Sequence, residues 1–206
     1  MTFEAAEPFP RLAGQYVMLT LDEGSTHAFS IASPFDEAAP TRFEIALARG
    51  TTAEALLELP LGSVVAATGP GGALVWKGEG TSLLVATGTG LSPLRALVHE
   101  QLATGSSAPI VLLFGCRDAS EELWGDELRA LSTLHPRFRF LPTHSQPAAG
   151  SEALTGRVQA YLPKLVSQLG PELRAYLCGH TAMVNDCTRL LLASGVAAER
   201  VHGESY

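Results

Sequence analysis

Three short stretches of this chain carry residues able to do chemistry. In Leu83-Leu84-Val85-Ala86-Thr87-Gly88-Thr89-Gly90-Leu91-Ser92-Pro93-Leu94 an apolar, β-prone run stops in a glycine turn and passes directly into a helix-like segment. Glycines let a ligand oxygen lie against the backbone, and the first turn of a helix offers N–H groups without intrahelical partners. Thr87, Gly88, Thr89 and Gly90 therefore suit a phosphate or a dinucleotide pyrophosphate. Pro93 fits the first turn of the helix, where its missing N–H costs nothing. A second run, Ala175-Tyr176-Leu177-Cys178-Gly179-His180-Thr181-Ala182-Met183, again ends a strand in glycine and opens a helix. No base partner for Cys178 is visible in the sequence, so the thiol is not read as a covalent nucleophile. The third stretch is Gly14-Gln15-Tyr16-Val17-Met18-Leu19 followed by His27-Ala28-Phe29-Ser30-Ile31-Ala32-Ser33-Pro34, whose Phe and Ile suit a pleated surface.

Two kinds of element must position these residues. Residues 1–78 read as β, with strands over Gln15–Leu21, Phe29–Ser33, Phe43–Ala48 and Ser63–Thr68 and one short helix over Ala53–Leu59. Turn residues at 22–25, 33–34, 39–40 and 61–62 separate them, and Gly69-Pro70-Gly71-Gly72 closes the section. Short strands with close turns predict a small antiparallel β-barrel. From Ser82 the rhythm becomes strand and helix in alternation. Strands fall at Ser82–Thr87, Ile110–Gly115, Phe138–Thr143, Ala175–Cys178 and Arg200–Glu204, and helices at Pro93–Thr104, Ser120–Leu134, Val158–Gln168 and Ala182–Ser194. Ser120 followed by Glu121 and Glu122 reads as an N-cap, and Gly195 as a C-terminal stop. This alternation predicts an α/β domain with a parallel sheet over 79–206, the boundary falling in Trp76–Thr81.

Composition narrows the function classes. The chain has 206 residues, 46% of them hydrophobic and only 17% charged, with a formal net charge of −7. No cationic run exceeds Arg137 and Arg139, which argues against a nucleic-acid backbone as partner. No window approaches the apolar length of a membrane span, and Met1 to Glu7 carries two acids without a basic region. The three cysteines, Cys116, Cys178 and Cys187, have neither a disulfide framework nor zinc or iron–sulfur spacing. The expectation is a cytoplasmic, metal-free protein.

Taken in order, "GQYV", "HAFSIAS", "GTGLSP" and "YLCG" resemble the ferredoxin–NADP reductase superfamily, a flavin-binding barrel followed by a nicotinamide-dinucleotide domain, over residues 10 to 206. The resemblance implies FAD, with FMN possible, and NADPH or NADH. It implies hydride transfer from the nicotinamide to the flavin and onward delivery to an electron-acceptor protein or partner chain. It makes Phe29 the ring platform and Ser30 the hydrogen-bonding neighbour of the flavin N5, with Ala28 between His27 and Phe29. Backbone groups of Ile31, Ala32 and Ser33 face the ribityl chain. Thr87, Gly88, Thr89, Gly90 and Pro93 take the pyrophosphate, and Cys178 with Gly179 lies at the nicotinamide C4. Glu204 polarises the hydride-donor site, and Tyr206 stacks on the flavin until the nicotinamide displaces it.

Three departures accompany the resemblance. His27 stands where most members carry Arg, losing the bidentate fork toward a phosphate. Gly50, Thr51 and Thr52 supply threonines one or two positions from the expected small polar residue. The barrel is shortened at its N-terminal side by a strand or two, and an open edge must be covered or shared. Arg117 follows the second sheet strand, where NADPH-specific relatives meet the 2′-phosphate, whereas the adjacent Asp118 favours a ribose hydroxyl. Both dinucleotides thus remain open. So do two other functions: an NAD(P)H:flavin reductase using flavin as a diffusible substrate, which Phe29 and Leu131–Pro136 also resemble, and a non-catalytic electron-transfer subunit completed by a partner chain.

Overall fold

A computed structural model describes residues 1–21, 24–49 and 53–206. The N-terminal section contains β1 (Thr2–Glu4), β2 (Tyr16–Thr20), β3 (Thr26–Ser30), β4 (Arg42–Glu44), α1 (Glu54–Glu58) and β5 (Ala66–Gly71). β3, β2 and β5 form one antiparallel sheet and β1 and β4 another, joined by a single bridge between Ile31 and Ile45. The alternation of β2 buries Val17 and Leu19, which meet Phe29, Ile31, Phe43, Ile45 and Leu56 in a small core.

Several boundaries differ from expectation for local reasons. β3 ends at Ser30 rather than Ser33. Beyond it, the Ser33 carbonyl and hydroxyl and the Pro34 carbonyl accept hydrogen bonds from Arg11, which pulls the chain out of the ladder. β4 stops at Glu44 instead of Ala48. β5 begins late because Ser63 is tied back to the Pro60 carbonyl through both its N–H and its hydroxyl. It then runs through Gly69-Pro70-Gly71, the residues expected to close the section, as a proline on an edge strand can. β1, pairing Thr2 with Glu44, was not anticipated.

The remaining residues build a six-stranded parallel sheet in the order β11-β10-β6-β7-β8-β9. Its strands are β6 (Ser82–Thr87), β7 (Ile110–Cys116), β8 (Phe138–His144), β9 (Leu154–Thr155), β10 (Arg174–Gly179) and β11 (Val201–Ser205). Helices α2 (Leu91–Ala103) and α3 (Gly125–Leu134) cover one face, and α4 (Leu162–Leu169) and α5 (Thr181–Ala193) the other. Burial on both faces explains why β6 and β7 read as continuous apolar runs: Leu84 and Ala86 pack toward α2, Leu83 and Val85 toward α5. The helix expected from Ser120 starts five residues later. Asp118 Oδ1, at 2.9 Å from the Ser120 N–H, caps a 3₁₀ turn over Ala119–Glu121, and Trp124 at φ 51° breaks the chain before α3. Likewise Val158–Tyr161 is 3₁₀ and α4 starts at Leu162.

Among the described residues, no helix is long and apolar enough to cross a membrane, and no cluster of His, Cys, Asp or Glu could hold a metal ion.

Gly14, whose φ is +93°, packs so tightly that an added Cβ would lie 1.9 Å from the Leu74 carbonyl oxygen and 3.5 Å from Leu97 of α2. Gly14→Ala is expected to cost about 3 kcal/mol or more in urea unfolding. Gly105→Ala, at φ +71° but facing open space, should cost only about 1 kcal/mol.

Candidate active site

A cleft of about 510 Å³ opens between the barrel and the carboxyl edge of the parallel sheet, the position where open α/β sheets hold ligands. Its barrel wall is Tyr16, Ala28, Phe29 and Ser30 with Ala46, Ala48 and Ala53. Its sheet wall is Gly88, Thr89, Ser92 and Cys178 with Glu204, Ser205 and Tyr206. Tyr16 pairs with Ser30 across the β2–β3 ladder, so the two side chains rise on the same side. Phe29 belongs both to the barrel core and to the cleft lining.

The sheet wall is held by close backbone packing. A Cβ at Gly90 would lie 2.3 Å from the Cys178 carbonyl oxygen, so only glycine lets the turn after β6 press on the end of β10. Gly179, at φ +151°, is pressed equally hard: a Cβ there would lie 2.3 Å from Thr87 Oγ1. Parallel pairing sets Glu204 beside Cys178, and Glu204 Oε1 accepts the N–H groups of Ala73 and Leu74 at 3.2 and 3.3 Å. Tyr206 reaches over the turn. Its hydroxyl donates to the Thr87 carbonyl at 3.0 Å and accepts the Gly90 N–H at 3.3 Å.

The remaining candidates are distributed as follows. Ile31 and Ala32 are buried behind β3, and Pro93 is buried in α2. Ser33 has its hydroxyl engaged by Arg11 and by the Glu44 N–H, away from the cleft. His27 is half-buried on β3 opposite Leu19 and does not line the cleft. Arg117 is exposed and its guanidinium is held by Glu121, with Nε 2.7 Å from Oε1. Gly50, Thr51 and Thr52 lie outside the described residues.

Sequence reasoning gave no individual role to Tyr16, Ser92 or the small residues Ala46, Ala48 and Ala53. Tyr16 and Ser92 had signals, since one sits inside the GQYV motif and the other inside the glycine-turn motif. The alanines had none, because their place in the wall follows only from the barrel's closure.

The cleft fits a planar ring and a diphosphate. The hydroxyls of Thr87 and Ser92 are buried without hydrogen-bond partners at the turn, and the turn itself has no side chains at Gly88 and Gly90. Such unmet polar atoms at a helix N-terminus are where a phosphate or carboxamide group belongs.

The family of the oxidoreductase NAD-binding domain matches residues 84–189. Ferredoxin–NADP reductase B of Sorangium cellulosum is 35% identical, over 100% of this chain and 90% of its own length. The chain belongs to the ferredoxin–NADP reductase superfamily. Another relative is the ferredoxin–NAD(P)+ reductase component of the naphthalene 1,2-dioxygenase/salicylate 5-hydroxylase systems of a Ralstonia species. It is 28% identical over 100% of this chain, which spans 63% of that relative's length. Among solved structures, a cytochrome P450 reductase from Amycolatopsis superposes with a TM-score of 0.87 at 26% identity, over 99% of this chain and 63% of its own. A ferredoxin–NADP+ reductase from Neisseria gonorrhoeae with bound FAD and NADP gives a TM-score of 0.81 at 23% identity, over 99% and 90%, a likeness of fold.

The Cys178 thiol lines the cleft at the end of β10, where it could attack or orient. Burial, seconded by the Glu204 carboxylate, pushes the thiol up to about 12, so it stays neutral at working pH. Iodoacetamide at pH 8 should therefore leave Cys178 unmodified in the folded chain, as read by peptide mass spectrometry. Unfolding in guanidinium should expose it to labelling.

Proposed function

We propose that this chain is a flavin-dependent NAD(P)H oxidoreductase, the reductase partner of an electron acceptor. Residues 1–78 would hold the flavin and 79–206 the dinucleotide. The observation that carries this reading is the single cleft that brings the Ser30 edge of the barrel opposite the glycine turn and Cys178. When bound, the flavin and nicotinamide supply hydride and electron chemistry that no side chain offers.

The chain's own residues bind, orient and exclude water. The Gly90 N–H and the start of α2 take the pyrophosphate, with the Ser92 and Thr87 hydroxyls as further donors. Cys178, neutral and buried, gives the nicotinamide a polarisable surface without competing as a nucleophile. Ser30 presents a hydroxyl from the opposite wall, and Glu204, itself in the cleft wall, holds the backbone of Ala73 and Leu74. Tyr206 blocks the turn until the dinucleotide arrives. The two rings must meet within about 3–3.5 Å for hydride to pass.

One observation favours the second reading, flavin as a diffusible substrate. None of the described residues lining the cleft is Lys or Arg, so little holds a flavin phosphate there. The partner we assign is an electron-acceptor protein meeting the barrel side of the cleft. No charged residue or histidine occurs between Leu59 and Trp76, Leu61 and Val64 are fully exposed, and β5 pairs only with β2 among the described residues. All three cysteines are free, in keeping with a reducing cytosol.

The purified chain, with FAD added, should show flavin bands at about 370 and 450 nm that bleach with NADPH or NADH. A spectrum that neither FAD nor dinucleotide alters would refute the reading. Cys178→Ala should retain flavin yet slow its reduction about tenfold in single-turnover mixing. Tyr206→Phe removes the hydroxyl that competes for the Gly90 N–H and should lower the Kd for dinucleotide about fivefold, by fluorescence titration.

A further inference from the structure

Arg95 lies one helical turn beyond Ser92, and its side chain is only 11% exposed. Its four hydrogen bonds point two ways. Toward the barrel, Nη1 donates to the Ala32 carbonyl and to Glu44 Oε2, both at 2.8 Å. Toward the sheet domain, Nε and Nη2 form a bidentate pair with Glu127 of α3, again at 2.8 Å each, and the guanidinium lies 4.7 Å over the Trp124 ring. His99, one turn further along α2, closes the group with Nε2 2.6 Å from Glu127 Oε1. Burial opposes these charges, yet the mutual hydrogen bonds hold the Glu127 carboxyl below its ordinary value and raise Arg95 above its own.

Arg95 and its two barrel anchors each sit near a residue of the cleft wall in sequence. Ala32 is two residues from Ser30, Glu44 two from Ala46, and Arg95 three from Ser92, the last pair sharing one face of α2. The Ala32 N–H also donates to the Glu44 carbonyl at 2.7 Å, so one guanidinium grips two adjoining barrel segments at once. A planar fork with five donors can satisfy a backbone carbonyl and two carboxylates together; an ammonium cannot hold the bidentate geometry.

We propose that Arg95 is a positioning residue that fixes the spacing of the two cleft walls, and through it the distance over which hydride passes between nicotinamide and flavin. The proposal rests on the oxidoreductase reading for its hydride step, while the coupling of the walls is a property of the chain alone. Arg95 does not line the cleft, so its effect falls on geometry rather than on affinity.

Two measurements test it, with Arg95→Met, Arg95→Lys and Glu44→Gln. The first is hydrogen–deuterium exchange of the chain without flavin or dinucleotide. Arg95→Met should speed exchange in peptides covering 28–46 and 88–97 together, leaving 162–191 unchanged, and Glu44→Gln should affect 28–46 most. Unchanged exchange in both regions, or a uniform rise throughout the chain, overturns the clamp. The second is anaerobic stopped-flow reduction of the flavin-loaded enzyme over a range of dinucleotide concentrations. The saturating rate of Arg95→Met should fall about a hundredfold, the scale of a 1 Å misplacement. The apparent Kd should stay within about twofold, and Arg95→Lys should recover part of the rate. An unchanged saturating rate, or a loss confined to Kd, overturns the positioning role. If the wild-type chain takes up no flavin or is not reduced, the oxidoreductase reading fails, and exchange still decides whether Arg95 couples the walls.

Discussion

Position 90 has no room for a side chain, and the site is built around that fact. The turn after β6 rests directly on the carbonyl end of β10, and Gly179 returns the constraint by resting on Thr87. These two close approaches bring together segments far apart in the chain and set the Gly90 N–H, the Cys178 thiol and the last strand within one wall. β11 then pairs in parallel with β10, which places Glu204 beside Cys178 and carries Tyr206 over the turn. The dinucleotide end of the cleft is thus backbone geometry first, with side chains added at its margins.

The barrel wall has a different physics. Its strands are short, its two antiparallel sheets meet at one bridge, and its own core is small. Buried arginines supply the rigidity that the ladders do not. Arg11 gathers the carbonyls of Phe9, Ser33, Pro34 and Arg42, fixing the loop that follows β3. Arg95 does the same between wall and sheet. Buried ionic groups contribute little net stability against apolar replacements, but they accept only one arrangement of partners. In a cleft where two rings must meet at a set distance, that selectivity matters more than the energy.

A second buried polar group, His144 with Glu122 and Ser151, lies at the far end of the same sheet edge. It ties the loop after β8 to the end of its strand. At the same edge the buried hydroxyls of Thr87 and Ser92 at the cleft, and of Thr143 on β8, remain unmet.

Much of this was legible in the residues. The apolar runs of β6, β7 and β10 could only be strands buried on both faces, and the glycines after β6 and β10 marked where backbone had to approach closely. The family followed from four short motifs in order. Other features were not legible, for identifiable reasons. Ser120 has the composition of an N-cap, but Asp118 takes that role because the chain first makes a 3₁₀ turn and then a left-handed step at Trp124. His27 and Arg117 are of the right type for phosphates, but one lies off the cleft and the other is paired with Glu121. Arg95 carries no signal in the sequence, because its partners Ala32, Glu44 and Glu127 come from three other segments and share no spacing with it. Local rules act over a few residues, so the sequence by itself determined the elements, the glycine turns and the family. Which polar groups meet across the cleft depends on contacts between distant segments, and only the tertiary structure decided that.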